Sequence, residues 1–410
     1  MNKKITGKKI PSKPEIAYVL PELSISGGIA IALYHILELR KLGRNAIAIV
    51  ISHQNNGDWF PYIDQIPVIS VKNYLERFEK FSIKYLTATW WETAFVVENM
   101  KAENKFYFLQ SLENRFYPEG NSKQDAFFLS LGLGLTVFTE AKWIQRWLRK
   151  NLNINAVHAP NGLDQKIFYP DHKIADRTKL RVLVEGAGNV FYKGVTDCFD
   201  ALNGLDVDVW YVSTDGFTLP HWKIDKLFLK IPQSEMRKIY SECDVLLKMS
   251  KVEGVFGPPL EMMACGGTCV VGDVTGYDEY CVHEKNCLVV DKDSPEEARS
   301  AILRLINTPD LLQSLKNQGP PTARKFAWKK TAVILNKHIY KKKIRKQKPY
   351  QIFMNENMQK IKEHIDELER TKVALAEKEN LINLVYSSPT WKIGNFIVYP
   401  FKKIRNFFRG

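Results

Sequence analysis

Glu253 and Glu261 lie eight residues apart, and the loop between them contains two glycines and two prolines. A helix is predicted to start at the end of this loop, so backbone amides are exposed at a helix N-terminus, where the dipole favours an anion such as a diphosphate. Carboxylates accept hydrogen bonds from hydroxyl groups. Glu253 is thus placed to hold a sugar and Glu261 a ribose. Without the rest of the segment, the two carboxylates are explained equally well if Glu253 is a surface loop residue and Glu261 is a favourable charge in the first turn of the helix.

The N-terminal part of the chain contains the elements that would position such a site. A strand, a loop, a helix and a second strand are predicted over residues 15–20, 21–28, 29–42 and 46–52. This order is typical of a parallel, doubly wound sheet. Gly27 and Gly28 lie where the first strand gives way to the helix, so a ligand can approach the backbone there. Ordinary turn chemistry explains a glycine pair equally well.

A second α/β series starts at Leu180. Its predicted strands and helices cover residues 180–185, 194–202, 206–213, 233–242 and 245–249. Residues 160–170 are rich in turn formers and separate the two series. We therefore expect two α/β domains, residues 15–170 and 171–330.

Length and composition agree with a two-domain globular protein. The 410 residues exceed what one hydrophobic core usually organises, and a composition of 45% hydrophobic and 25% charged residues excludes wholesale disorder. No run reaches the roughly 18 apolar residues of a membrane span, and residues 1–14 lack the apolar core of a signal peptide. A cytosolic chain with a flexible leader, residues 1–14, is expected.

The residues that commonly bind metals do not form a ligand pattern. The six cysteines include no C-x-x-C pair and are expected to be structural thiols. The histidines show no ligand spacing, and the D-x-D sequences at 206–208 and 291–293 are interpreted as structural. We expect no metal and no other cofactor.

The segment around the two glutamates, EGVFGPPLEMMACG at 253–266, resembles the E-x7-E region of retaining glycosyltransferases of family four (glycosyl transferases group 1), which have the GT-B fold. Further stretches are similar to the same family: SGG at 26–28, PNGLDQKIFYP at 160–170, KGVTD at 193–197 and FAWKKTA at 326–332. The resemblance spans most of residues 15–340. It implies two Rossmann-like domains facing across a cleft, with the acceptor bound by the N-terminal domain and a nucleoside diphosphate sugar by the C-terminal domain.

The resemblance also implies roles for individual residues. Glu253 would hold the hydroxyls of the donor sugar and Glu261 the ribose, while Lys193 would contact the diphosphate. A lysine suits the negative charge that develops on a leaving nucleoside diphosphate, and a plain exposed loop lysine is the alternative. The loop amides that would assist are those of Val255, Phe256 and Gly257, and the glycine loop of the family corresponds to Gly27 and Gly28.

Two positions carry less of the family pattern. Ile231 falls where the backbone of the family usually meets the base. The family commonly has an arginine in a GR element before the lysine, whereas here the strand ends in Glu185 and Gly186. One positive charge at the diphosphate is therefore unaccounted for, and Glu185 either shapes the site or is structural.

Residues 105–120, KFYFLQSLENRFYPEG, look like a stretch of bacterial rhamnosyltransferases in the same superfamily. That similarity places Gln110, Glu113 and Arg115 at the acceptor side of the cleft. The aromatic residues of this stretch are interpreted as core, with a sugar platform as the alternative. Residues 87–91 are interpreted as the end of another strand at the cleft.

The end of the chain has a different composition. Of the formal net charge of +14, most lies in residues 331–410, which hold 17 Lys or Arg against 7 Asp or Glu. We expect a return helix with a basic linker at 331–349 and a coiled-coil helix at 350–386 that joins copies of the chain into a homo-oligomer; one solvated helix is the alternative. Residues 387–410 hold five Lys or Arg, no acidic residue and six aromatic residues, which suits an anionic membrane surface. A protein partner and nucleic acid are the alternatives, and nucleic acid is not preferred.

The sequence therefore predicts an α/β GT-B fold, two Rossmann-like domains across a cleft, with a C-terminal helical extension. By resemblance, the function is transfer of a sugar from a nucleoside diphosphate sugar to a growing glycan of the surface-polysaccharide or O-antigen type, on a lipid-linked or free acceptor, with retention of configuration. We expect the protein to be in the cytoplasm, bound peripherally to the inner face of the cell membrane. A sugar-nucleotide epimerase of similar fold and a non-catalytic scaffold subunit are the alternatives.

Overall fold

Two parallel β-sheets form the body of the protein. The computed structural model describes residues 9–52, 56–78, 81–170 and 178–340. The strands of the first sheet are β1 Ile16–Leu20, β2 Ala46–Val50, β3 Val68–Ser70, β4 Ile83–Ala88, β5 Ala102–Leu109, β6 Thr136–Thr139 and β7 Val157–His158. Those of the second are β8 Arg181–Glu185, β9 Asp208–Ser213, β10 Lys226–Leu229, β11 Val245–Lys248, β12 Thr268–Gly272 and β13 Leu288–Val290.

The strand order of each sheet is that of a doubly wound α/β domain. The first runs β3-β2-β1-β4-β5-β6-β7 and the second β10-β9-β8-β11-β12-β13, with every pairing parallel. Strands covered on both faces read as continuous apolar runs, as in β1 and β2, whose residues are all buried. In both sheets the order reverses next to the first strand, and ligands of open α/β sheets bind at such a switch point, outside the carboxyl ends of the strands.

Helices cover both faces of each sheet. In the N-terminal domain they are α1 Gly27–Lys41, α2 Val71–Phe78, α3 Trp91–Asn99, α4 Ser122–Gly132 and α5 Lys142–Leu152. In the C-terminal domain they are α6 Val195–Leu202, α7 Gln233–Glu242, α8 Gly257–Ala264, α9 Pro295–Asn307 and α10 Pro309–Ala323. Each sheet thereby has two apolar cores, one on each face.

The chain returns to the N-terminal domain after α10. Helix α11 Trp328–Ile334 continues into a π-helical turn, Leu335–Ile339, and both pack into a core formed otherwise by residues 16–159. Trp328 stacks on Tyr34 of α1 with the ring centroids 4.8 Å apart. The hydroxyl of Tyr340 donates to the hydroxyl of Tyr18 at 2.7 Å and lies 2.8 Å from Thr87 Oγ1. This crossing ties the two domains together with buried contacts.

The two Rossmann-like domains of the prediction are confirmed, whereas details at the boundaries differ. Leu163 and Phe168 precede the predicted boundary at residue 170 but pack in the core of the C-terminal domain. The return helix begins at Trp328, earlier than the predicted start at residue 331. Part of the predicted leader, residues 1–8, lies outside the described residues, as do the basic linker, the coiled coil and the tail, residues 341–410.

Within the part of the chain that the structure describes, no helix is both long and apolar enough to cross a bilayer. All six cysteines fall in this part; they are buried, and none of them forms a disulfide bond there.

Candidate active site

Lys193 and Glu253 meet at the carboxyl edge of the second sheet. Lys193 ends a short turn after β8, and Glu253 follows β11, so parallel neighbouring strands bring the two residues together. Lys193 Nζ lies 3.0 Å from Glu253 Oε1, and the two side chains are 29% and 13% exposed. Burial lowers the pKa of Lys193, but the carboxylates of Glu253 and Glu185 outweigh it and leave the pKa above its usual value. The lysine is therefore a cation at any physiological pH.

Two glycines allow the backbone to close around this ion pair. Gly194 has φ +60°, and a Cβ there would lie 1.9 Å from the carbonyl oxygen of Met249. A Cβ on Gly254 would lie 1.8 Å from the carbonyl oxygen of Gln110 in the N-terminal domain. Only glycine fits either position. The loop that starts at Glu253 is thus pressed against the opposite domain.

The N-terminal domain holds this loop with two hydrogen bonds from the junction between β6 and α5. Trp143 Nε1 donates to the carbonyl oxygen of Gly254 at 2.8 Å, and the amide of Val255 donates to Glu140 Oε1 at 3.1 Å. A third bond runs nearby from the amide of Lys142 to Glu279 Oε1 at 2.7 Å. The position of the loop that carries Glu253 is therefore set by the domain that would bind the acceptor.

Glu140 is a buried carboxyl group without an ion-pair partner among the described residues. Its side chain accepts from Val255 and, at 2.8 Å, from Asn161 Nδ2. Burial raises the pKa of Glu140 to about 8, the two hydrogen bonds lower it, and Glu253 and Glu279 raise it further. Asn161 Oδ1 is buried without a partner in the described structure. Turning the Asn161 amide would offer this oxygen to a protonated Glu140, so the pair fits a neutral carboxyl group.

Glu261 lies in the first turns of α8, in a more enclosed part of the cleft. The hydroxyl of Tyr240 donates to Glu261 Oε2 at 3.1 Å. Burial raises the pKa of Glu261 to about 7, and the carboxylate of Glu185 adds to the increase. The hydroxyl of Tyr34 reaches from α1 to Gln233 Oε1 at 3.0 Å, so the N-terminal domain also borders this region. A carboxylate here is able to accept hydrogen bonds from a ribose.

Glu185 pairs with a lysine that the sequence analysis did not select. Lys248 ends β11, is 2% exposed, and its Nζ donates at 2.8 Å to both the carbonyl oxygen and Oε2 of Glu185. A buried lysine needs such a partner because an unpaired charge would be strongly destabilising. Next to the position where the resembled family commonly has an arginine, this chain therefore has an ion pair with no net charge.

Gly27 and Gly28 open helix α1 on the N-terminal side of the cleft. Gly27 has open space around the position of a Cβ, whereas a Cβ on Gly28 would lie 3.1 Å from Gln110 Oε1. Gln110 Nε2 donates weakly to the carbonyl oxygen of Thr89 at 3.3 Å, and Oε1 is buried without a partner in the described residues. Gln110 thus lies between Gly28 and Gly254, and its role on the acceptor side stays a prediction.

Glu113 does not face the cleft, and that expectation is wrong. Its side chain is 1% exposed and accepts from the amide of Trp91 at 2.6 Å and from the hydroxyl of Tyr107 at 2.8 Å. Burial raises the pKa of Glu113 well above its usual range. Arg115 is half-buried, with its guanidinium 5.4 Å from the ring centroid of Trp143, behind the loop that carries Glu253. Glu113 supports the fold, while Arg115 supports the wall of the site.

The predicted amide donors are only partly available. The Val255 amide is occupied by Glu140, and Pro258 and Pro259 in the first turn of α8 have no amide hydrogen. Phe256 and Gly257 are left as the candidate donors of the predicted set. Ile231 is half-buried and packs against the core of the C-terminal domain, two residues before Gln233.

In the described part of the chain, no group of three or more His, Cys, Asp or Glu side chains is arranged to hold a metal ion. The two D-x-D sequences take part in local contacts instead, such as the bond of Asp208 Oδ2 with Arg181 Nε at 2.6 Å.

Sequence reasoning did not select Glu140, Trp143 or Lys248. A signal existed for two of them, because Glu140 follows β6 and Lys248 ends β11, and the carboxyl ends of parallel strands border the ligand site. Trp143 had no such signal because its contact with Gly254 joins two domains.

Part of the C-terminal domain matches a known protein family. Residues 225–321, which include Glu253 and Glu261, match the family model described as glycosyl transferases group 1. An uncharacterized glycosyltransferase of Methanocaldococcus jannaschii is 28% identical over 208 residues, which cover 48% of this chain and 57% of that relative. The alignment therefore spans little more than half the length of that relative.

Solved structures decide the fold. Sucrose-phosphate synthase from Thermosynechococcus elongatus superimposes with a TM-score of 0.63 at 16% identity, over 79% of this chain and 97% of that one. The Anabaena protein HepE, in complex with UDP and glucose, gives a TM-score of 0.64 at 14% identity, over 80% of this chain and 100% of that one. The fold is GT-B. The residues described above lie where the two GT-B domains face each other.

Proposed function

We propose that this protein transfers a sugar from a nucleoside diphosphate sugar to a glycan acceptor, with the reaction in the cleft between its two domains. The observation that carries the proposal is the Lys193–Glu253 pair, on a loop held in place by the opposite domain. A cation beside a hydroxyl-binding carboxylate is what a leaving diphosphate and its sugar require.

When a donor binds, either the ion pair between Lys193 and Glu253 separates or Lys193 contacts the diphosphate and Glu253 together. The diphosphate competes with Glu253 for Lys193, whose ammonium group offsets the negative charge that develops as the glycosidic bond breaks. The carboxylate of Glu253 is then released to accept hydrogen bonds from the sugar. Binding of the diphosphate thereby prepares the sugar ligand.

The finer features of the reaction are also proposals. We infer retention of configuration without a covalent protein nucleophile, with the leaving phosphate helping to take the proton of the acceptor; the resemblance of residues 253–266 to retaining glycosyltransferases supports this inference. UDP is the first nucleotide to test, since HepE was solved with UDP and glucose. A surface polysaccharide acceptor is suggested by similarity in fold to WaaG, a glycosyltransferase involved in lipopolysaccharide biosynthesis.

The test uses the full-length protein with UDP-glucose, UDP-N-acetylglucosamine and dTDP-rhamnose, each with and without a panel of saccharide acceptors, and product analysis by mass spectrometry. We expect transfer with at least one pair. Glu253→Gln should lower turnover by about 100-fold. The same variant should bind free UDP as tightly as the wild type or more tightly, because the competing carboxylate is gone.

The matched control is Glu119→Gln, which removes an exposed carboxylate outside the site and should not change either quantity. Conversion of donor alone into an isomeric sugar nucleotide would instead favour the epimerase. Binding of UDP without turnover of any donor would favour a scaffold, and wild-type turnover in the folded Glu253→Gln variant would contradict the role of this residue.

A further inference from the structure

Four aromatic side chains form a continuous row from one domain to the other, and we call them the aromatic ladder: Trp90, Phe116, Tyr192 and Phe191. Trp90 stacks on Phe116 with the centroids 5.7 Å apart and the planes at 26°. Phe116 lies 4.9 Å from Tyr192, and Tyr192 lies 5.3 Å from Phe191 at nearly a right angle. The contact between Phe116 and Tyr192 crosses the cleft.

The ladder begins at the reaction centre. Tyr192 precedes Lys193, whose Nζ lies 5.6 Å from the Tyr192 ring centroid and 3.0 Å from Glu253. The carbonyl of Tyr192 accepts from the amide of Lys251 at 2.8 Å, which fixes this part of the turn. On the N-terminal side, Trp90 and Phe116 follow β4 and β5, so they lie at the carboxyl edge of the sheet where a ligand is bound.

The rings of the ladder are not core residues. Trp90, Phe116 and Tyr192 are half-buried, and Phe191 is 61% exposed, the most exposed of the large apolar side chains in the described residues. By contrast, the neighbouring Phe106, Tyr107 and Phe108 are fully buried. Phe191 is not a single exposed side chain, because it continues a row of half-buried rings next to Lys193. A contiguous apolar surface of this kind beside a charged site points to a ligand.

We propose that the aromatic ladder is the acceptor platform, on which pyranose rings of a saccharide acceptor stack. One face of a pyranose carries several C–H groups, and the negative face of an aromatic ring attracts such groups while excluding water. Two rungs belong to the N-terminal domain, whereas the donor-side residue Glu261 is bordered by Tyr240 and α7. The ladder therefore consists of residues other than those that border Glu261.

The proposal rests on the proposed glycosyl transfer, and a binding measurement separates the two. Methyl pyranosides of glucose, galactose, mannose and rhamnose, and their 1,4-linked disaccharides, are tested against the full-length chain by saturation-transfer-difference NMR. We expect binding to the wild type and at least a fivefold weaker signal with Phe191→Ala. Binding without transfer would leave the ladder in place and contradict the proposed function. Absence of binding by every saccharide would overturn the ladder.

Turnover gives the second readout. With a working donor and acceptor, Phe191→Ala should raise the acceptor KM by about tenfold and leave the donor KM and donor hydrolysis in water unchanged. Phe191→Tyr should restore the acceptor KM, whereas Phe191→Leu, apolar but not aromatic, should not. The matched control is Tyr169→Ala, an exposed aromatic residue (46%) that packs on Arg237 away from the ladder.

Phe116→Ala distinguishes an acceptor platform from a contact that only closes the domains. A platform predicts a higher acceptor KM with unchanged donor hydrolysis, while a closing contact predicts that donor hydrolysis and donor KM change as well. An acceptor KM that is the same in wild type, Phe191→Ala and Phe116→Ala would refute the proposal, as would full rescue by Phe191→Leu.

Discussion

Replacing Glu140 by glutamine should stabilise the protein at neutral pH. The pKa of Glu140 rises from 4.5 to about 8 on folding, chiefly because the side chain is buried. At pH 7 the unfolded chain carries an ionised carboxylate and the folded chain a neutral acid, so folding must include protonation. With 1.36 kcal/mol per pH unit over the interval from 4.5 to 7, this protonation costs about 3 kcal/mol.

The sign of the pH dependence follows from the direction of the shift. A carboxyl group with a raised pKa stabilises the folded state fully at low pH, and this stabilisation is lost as the pH rises from 4.5 to about 8. Glutamine has the shape of the neutral acid. It accepts from the Val255 amide through its carbonyl oxygen and donates to the unpartnered Asn161 Oδ1 once that amide is turned.

The assay is urea unfolding of wild type and Glu140→Gln from pH 5 to pH 9, since the difference between the two isolates Glu140 from other titrating groups. The variant should be more stable by about 1 kcal/mol at pH 5 and by about 3 kcal/mol at pH 7. Glu119→Gln, at an exposed position, is the control and should show no such trend. A difference that stays constant with pH would refute the reasoning.

Four further outcomes are expected. Lys193→Ala should weaken the binding of UDP by about 1–3 kcal/mol in calorimetry, and an unchanged affinity would count against the diphosphate contact. Tyr340→Phe should lower the free energy of unfolding by about 1–3 kcal/mol, because the hydroxyls of Tyr18 and Thr87 lose a buried partner, and equal urea midpoints would contradict this. Activity should persist in chelator without added magnesium or manganese, whereas a metal-dependent recovery would exclude a metal-free reaction. Truncation after Tyr386 should abolish sedimentation with anionic vesicles and spare transfer to a soluble acceptor, and unchanged sedimentation would point to a protein partner.

Much of the fold follows from local patterns in the sequence. Helix α7 has the predicted bounds, because its apolar residues recur at helical spacing and Pro232 sets its start. Helix α8 begins at Gly257, within the stretch that was predicted to be a loop. Proline is tolerated in the first turn of a helix, so Pro258 and Pro259 belong to the helix and not to the loop before it. Strand β3 was not predicted as an element, because its three residues are too few to show an alternating pattern.

The candidate site was predictable where neighbouring parallel strands position the residues, and not where the position depends on packing between other elements. The proximity of Lys193 and Glu253 follows from neighbouring parallel strands. The burial of Glu113 does not, because its carboxylate binds the amide of Trp91, 22 residues earlier in the chain. The same holds for Glu140, which meets the amide of Val255 across 115 residues.

The crossing of α11 back to the first domain has a consequence for biosynthesis. Trp328, Leu335, Ile339 and Tyr340 complete an apolar core whose other members lie between residues 16 and 159. A ribosome delivers the chain from its N-terminus, so this core stays open to solvent while the whole second domain is made. The first domain is synthesised first, but its apolar core is completed only after α11 has been made. Genetic separation of the two halves would therefore leave the first one with an exposed apolar face, prone to aggregation or capture by chaperones.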